Sequence, residues 1–153
     1  MNAVLYVDDE PAALRMFQKT FGAEFHVVTA GSAEAGLREA EEVVPDFILA
    51  DERMPGTNGI TFLEAVRAKC PHAIIAIVTA YSSMKSAAFA AGITNFFTKP
   101  YDAAEMRKFL SSASELPAED EHDTTTGVVR VRATQATESV IDLLKKINSP
   151  DPR

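Results

Sequence analysis

Cysteine is almost absent from this chain. Cys70 stands alone, so no internal disulfide can form and no zinc site can be assembled from thiolates. Basic residues are outnumbered, and the formal net charge of -7 argues against a general affinity for nucleic acid or an anionic membrane. No apolar run approaches the length of a membrane span. The opening Met1-Asn2-Ala3-Val4-Leu5-Tyr6-Val7-Asp8-Asp9 has no basic region before its short apolar run and meets two acids after it. That is the pattern of a strand and not of a secretory leader. These absences lead to the expectation of a soluble, cytoplasmic protein. What is present is ordinary globular composition, 46% hydrophobic and 24% charged over 153 residues, enough for one domain and a remainder.

Short β-rich apolar runs alternate with segments of helical period. Strands are expected near 3–7, 25–30, 46–51, 74–79 and 94–98, and helices near 11–20, 32–42, 59–69, 83–91 and 102–113. Leu14, Phe17 and Phe21 fall at helical spacing, Ser32 is placed to cap the second helix, and Asn58 or Gly59 opens the third. Such alternation implies an α/β, doubly wound parallel sheet with right-handed crossovers and helices on both faces. The runs 46–51 and 74–79 are nearly all apolar, as strands covered on both faces should be. Cys70, just before Pro71, reads as a half-buried small residue at a helix end.

The strand ends carry the chemistry. Asp8 and Asp9 follow Val4-Leu5-Tyr6-Val7, and Asp51 follows Phe47-Ile48-Leu49-Ala50. Thr79 closes Ile74-Ile75-Ala76-Ile77-Val78, and Phe96-Phe97-Thr98 runs into Lys99-Pro100. In open parallel sheets ligands bind beyond the carboxyl ends of the strands. Taken singly, an Asp-Asp pair is a helix cap or a solvated turn, and Lys-Pro is a loop. Together they place three acids, a hydroxyl and an ammonium at one edge. Crowded carboxylates repel one another unless something compensates, and a hard divalent cation such as Mg2+ takes such oxygen ligands, commonly beside a phosphate. Asp9 and Asp51 can ligate directly and Asp8 through a water, while Lys99 and Thr79 offer charge and a donor to phosphoryl oxygens. An aspartate carboxylate is itself a competent phosphoryl acceptor.

The stretches Val4-Leu5-Tyr6-Val7-Asp8-Asp9-Glu10-Pro11, Asp51-Glu52-Arg53-Met54-Pro55-Gly56-Thr57-Asn58-Gly59, Thr79-Ala80-Tyr81 and Phe96-Phe97-Thr98-Lys99-Pro100-Tyr101-Asp102 resemble the receiver domain of two-component response regulators. The resemblance covers residues 1–113 and implies a CheY-like, flavodoxin-like sheet of order 2-1-3-4-5. It implies Asp51 as phosphoacceptor, fed by a sensor histidine kinase or phosphotransfer protein. Asp8, Asp9, Asp51 and the backbone carbonyl of Arg53 become the Mg2+ ligands. Thr79, Ala80 and Lys99 bind the phosphoryl group, with Thr79 and Phe96 as the switch couple; a permanently buried Phe96 is the plain alternative. The resemblance also implies a cis bond before Pro100, although trans is the default for sequence alone. Arg53 and Tyr81 occupy positions where phosphoryl lifetime is tuned, and a large ring at Tyr81 would shield the group from water. The stretch 81–91, rich in Ala and with Ser82 and Ser83 near its start, is slightly short for the family, so a brief or mobile fourth helix is expected.

Residues 114–127 are acidic and helix-breaking and read as a linker. Residues 128–153 form a C-terminal extension in which 129–133 alternates like a short strand and 139–147 reads as an amphipathic helix. That C-terminal extension either docks on the receiver, mediates a homodimer, or is a plain tail. No DNA-binding output module is expected, because the extension is too small and lacks a basic recognition face. A downstream protein partner is therefore implied. The wording Asp-Glu-Arg-Met-Pro-Gly also resembles receivers joined to enzymatic output modules, which keeps a fragment of a larger regulator in play. Mg2+-dependent phosphatases with an aspartate nucleophile share the general arrangement, but they need a second acid two residues on, where this chain has Arg53. A module that holds a metal and is never phosphorylated is the third reading.

Overall fold

The computed structural model describes residues 1–112. Five strands, β1 (Ala3–Val7), β2 (His26–Ala30), β3 (Phe47–Ala50), β4 (Ile74–Thr79) and β5 (Phe96–Thr98), form one sheet of order β2-β1-β3-β4-β5, and every pair is parallel. Between them run α1 (Pro11–Phe21), α2 (Ala33–Val43), α3 (Gly59–Lys69) and α4 (Lys85–Ala90), and α5 follows over residues 103–112. Order and direction agree with the doubly wound expectation. The linker, the alternating stretch and the amphipathic pattern after residue 113 lie outside the described residues.

Periodicity explains the packing. β1 and β3 are buried along almost their whole length, with Leu5, Val7, Ile48 and Ala50 in one core cluster beside Phe62, Leu63 and Val66 of α3. On α1, Phe17 stacks on Tyr6 with centroids 4.5 Å apart, and Phe21 tilts against Phe17 at 4.8 Å. Each buried ring or branched chain of this kind is worth about 2 kcal/mol in transfer alone. Ser32 caps α2 by accepting from Ala35 N, and Asn58 caps α3 by accepting from Thr61 N, so Asn58 and not Gly59 opens that helix.

Three local expectations need correction, and the short fourth helix is as expected. Phe25 is buried but its N–H bonds to Phe21 O, so β2 starts at His26. At the edge of the sheet β5 shrinks to three residues, Phe96–Thr98, with Asn95 just before it accepting from Ile77 N through its backbone and donating its side-chain amide to Ile75 O. The fourth helix is brief, as its composition suggested: a 3-10 turn, Ser82–Met84, is followed by six α-helical residues; neither start has a side-chain cap, and Gly92 at φ +88° ends it. Cys70 is buried and not half-buried, because the end of α3 turns its Sγ toward Ala40 O of α2, 3.8 Å away.

Candidate functional site

The register of the sheet brings the strand ends together. Val7 of β1 pairs with Ala50 of β3, so Asp8 and Asp51 leave adjacent strands at one level. Backbone bonds hold both starts: Asp8 N donates to Ala30 O at 3.1 Å and Asp51 N to Val7 O at 2.9 Å. Thr79 pairs with Thr98, and Lys99 N donates to Thr79 O at 2.8 Å, which brings the lysine in from the fifth strand. Carboxylate oxygens of Asp8, Asp9 and Asp51 all lie within 4.8 Å of one another. Asp8 and Asp51 are buried, whereas Asp9 faces solvent.

Lys99 ties this cluster. Its Nζ donates to Asp8 Oδ2 at 2.8 Å and sits 3.3 Å from Asp51 Oδ1. Burial works against the ammonium, but the hydrogen bond to Asp8 and the Asp51 charge outweigh it and lift the lysine pKa above its usual value. One ammonium does not balance three carboxylates. Burial, then the charges of Asp8 and Asp9, push the Asp51 pKa up against the opposing pull of Lys99. An under-compensated set of hard oxygen donors in one small volume is what a divalent cation of the Mg2+ type fits. The acidic cluster therefore suits that ion.

The remaining expected residues are placed as follows. Thr79 is fully buried, and its Oγ1 accepts from Tyr81 N at 3.3 Å. Ala80 is exposed in the loop behind it. Phe96 is half-buried against the core cluster rather than locked inside it. The Lys99–Pro100 peptide is cis. Arg53 is exposed and its guanidinium lies 3.8 Å from the centroid of the Tyr81 ring, so the loops after β3 and β4 meet through a cation–π contact. An open cleft of about 480 Å³, lined by Glu52, Arg53, Met54, Pro55, Asn58 and Met84, adjoins the loop after Asp51.

Three residues of the site escaped the reading of the sequence. Tyr6 points its hydroxyl at Asp8 Oδ2, 2.7 Å away, and burial followed by the Asp8 charge raises its pKa far above the phenol range. Period two along β1 put Tyr6 and Asp8 on one face, which was the available signal. Glu52 is buried, and its Oε1 accepts from Ile60 N at 2.9 Å. Gly59 has no room for a side chain, because a Cβ there would run into the Asp51 carbonyl oxygen. For these two only the folded loop supplies the reason.

Comparison with known proteins agrees with this geometry. Residues 4–111 match the response regulator receiver domain family. The chain is 29% identical over 119 residues to Regulatory protein AtoC of Escherichia coli K12, covering 76% of this chain and 26% of AtoC. It is 30% identical over 118 residues to Response regulator protein PilR of Pseudomonas aeruginosa, covering 73% of this chain and 26% of PilR. It thus spans about a quarter of the length of these curated relatives. Among solved structures, chemotaxis protein CheY4 of Vibrio cholerae superposes with a TM-score of 0.67 at 29% identity, covering 73% of this chain and 98% of that one. A CheY-like receiver domain from Methanospirillum hungatei superposes with a TM-score of 0.71 at 22% identity, covering 78% and 98%, a likeness of fold alone. With the sheet order, the acidic cluster and the match over residues 4–111 in agreement, the chain belongs to the response regulator receiver domain family.

Proposed function

We propose that Asp51 accepts a phosphoryl group from a phosphohistidine of a sensor histidine kinase or phosphotransfer protein, and that the modified domain changes its protein contacts. The observation that carries this reading is the position of Lys99 Nζ, which bridges Asp8 and Asp51 where three carboxylates converge. Asp9, Asp51 and the Arg53 carbonyl would hold Mg2+, with Asp8 bonding through a water. When bound, the ion neutralises phosphoryl oxygens and draws charge from them during transfer.

The protein's own groups do the rest. An Asp51 carboxylate oxygen attacks phosphorus, the new O–P bond forms as the P–N bond breaks, and the donor imidazole leaves with the electron pair. Lys99 already sits at hydrogen-bond range of the acceptor and can follow the incoming oxygens. Buried Asp8 keeps the ammonium in place through its short bond to Nζ, and Tyr6 steadies Asp8 by donating to the same carboxylate oxygen, Oδ2. Arg53 stacked on Tyr81 covers the approach between two loops and slows attack by water on the acyl phosphate.

The readout follows from packing. A phosphoryl oxygen on Asp51 accepts from the Thr79 hydroxyl, whose oxygen in this structure accepts from Tyr81 N, and draws it toward Asp51. Drawing Thr79 inward opens space for the half-buried Phe96 ring, and the short, uncapped α4 beside it can shift with little loss of hydrogen bonding. The α4–β5 face is thereby the surface offered to a downstream protein. Treatment with Mg2+ and a small phosphodonor, read by intact mass, tests the proposal. One added phosphoryl group that is absent in Asp51→Asn is the expected result. Multiple-turnover release of phosphate from monoesters would instead support a phosphatase, and no change in mass would leave only a metal-binding module.

A further inference from the structure

The first turn of an α-helix leaves its N–H groups without helical partners, and each must find an acceptor elsewhere. In α3 the accounting is unusual. Thr61 N is satisfied by the Asn58 cap at 2.9 Å, but the two donors before it both go to one residue outside the helix. Gly59 N donates to the Glu52 backbone oxygen at 3.0 Å, and Ile60 N donates to Glu52 Oε1 at 2.9 Å. Glu52 is only 5% exposed although it carries an acid. Its carboxyl oxygen lies at the positive end of the helix, where an acceptor is favoured.

The consequence reaches the phosphoacceptor. Glu52 directly follows Asp51, and its two bonds cinch residues 53–57 into a closed loop between the end of β3 and the start of α3. The fit is tight enough that a Cβ on Gly59 would strike the Asp51 carbonyl oxygen and come within 3.0 Å of Glu52 Cα. Asp51 and Arg53, which flank Glu52, are two of the groups proposed above to hold the cation. An error in this loop would move one ligand relative to the other, and cation sites of the Mg2+ type tolerate little angular error.

We infer that Glu52 is a positioning residue: by accepting from Ile60 N it holds the β3–α3 loop so that the Asp51 carboxylate and the Arg53 carbonyl address one cation together. The inference rests on the phosphoacceptor reading for its purpose, but its own measurement is metal affinity. Glu52 touches neither metal nor phosphoryl group; it acts through the backbone on both sides of it. Outer partners of this kind typically change metal affinity tenfold or more when lost.

The test uses the full chain with Glu52→Leu, which keeps bulk and removes the acceptor, and Glu52→Gln, which keeps the acceptor oxygen. Mg2+ titrations followed by tyrosine fluorescence, beside urea midpoints, separate metal affinity from folding. We expect E52L to weaken Mg2+ about tenfold and E52Q to stay within about twofold of wild type. Phosphoryl uptake by E52L should be slow at limiting Mg2+ and recover at high Mg2+, a split that general loosening would not produce. A folded E52L with wild-type Mg2+ affinity overturns the inference. So does a wild-type protein that binds no Mg2+, which removes the site reading as well. Wild type that binds Mg2+ but gains no phosphoryl mass defeats the phosphoacceptor reading alone, and the E52L affinity then still decides the role of Glu52. Should E52L fail to fold, Glu52→Ser carries the same comparison with amide exchange at Ile60 read beside it. Fast exchange there with unchanged Mg2+ affinity overturns the inference.

Discussion

Replacing Asp51 by Asn should stabilise the metal-free protein, although it removes the proposed acceptor. The Asp51 and Asp8 oxygens lie within 4.8 Å, so at an effective dielectric of about 20 their repulsion is at least roughly 3 kcal/mol. The attraction to Lys99 Nζ at 3.3 Å is about 5 kcal/mol on the same scale. Asp9 adds a screened repulsion, and withdrawing a largely buried carboxylate from water adds an unfavourable contribution of roughly 2–3 kcal/mol after discounting for its partial access. The balance disfavours the ionised acid by about 1 kcal/mol, in the direction of its raised pKa. Asn fills the same volume without the charge. In EDTA at pH 7 the variant should melt roughly 4 °C higher than wild type.

The pH dependence has a definite sign. Folded Asp51 holds its proton to higher pH than the unfolded chain does, so wild-type stability from this site is intact below the ordinary carboxylate range and is lost as pH rises through the raised value. The advantage of Asn should therefore be small below the ordinary carboxylate range, at about pH 3, and complete at pH 7. Mg2+ reverses the order, because at a hundred times Kd it stabilises wild type by about 2.7 kcal/mol and the variant far less. Calorimetric melts with EDTA and with Mg2+ measure both effects. A variant less stable than wild type in EDTA at pH 7 would refute the electrostatic argument.

Lys99→Met should abolish detectable phosphoryl uptake and, by leaving buried Asp8 without its cation, cost about 1–3 kcal/mol in urea unfolding; Mg2+ should recover part of that loss. Gly59→Ala should cost roughly 2 kcal/mol in the same assay, because the new Cβ meets backbone that cannot move aside without opening the β3–α3 loop. Tyr81→Ala removes the ring stacked under Arg53 and should shorten the acyl-phosphate lifetime severalfold in a dephosphorylation time course, with no change in stability beyond about 0.5 kcal/mol. Cys70, buried and with its pKa raised by that burial, should react with an aromatic disulfide reagent at pH 8 far more slowly in native buffer than in urea.

Much of the fold was legible because both structural periods are written plainly in the chain. Near-continuous apolar runs such as Phe47–Ala50 sort into strands covered on both faces, and Ser32 and Asn58 announce helix starts through their own side chains. The edges were less legible. Where β5 begins depends on its register against Ile77–Thr79 of β4, and where α4 begins depends on a tight turn after Tyr81. Both outcomes rest on partners more than ten residues away or on turn geometry, which local pattern does not encode.

For the site, chain order alone determined that Asp8, Asp9, Asp51, Thr79 and Lys99 would arrive at one edge, since a parallel sheet sends every strand end the same way. Tertiary structure decided the rest. It chose which acid is buried and which exposed, turned Tyr6 and Lys99 onto one oxygen of Asp8, and laid Arg53 over Tyr81. It also made an acid at position 52 part of the frame instead of part of the charge cluster. The physical reason is that strand periodicity fixes direction and face, whereas hydrogen-bond partners and desolvation are set only when distant backbone closes around a side chain.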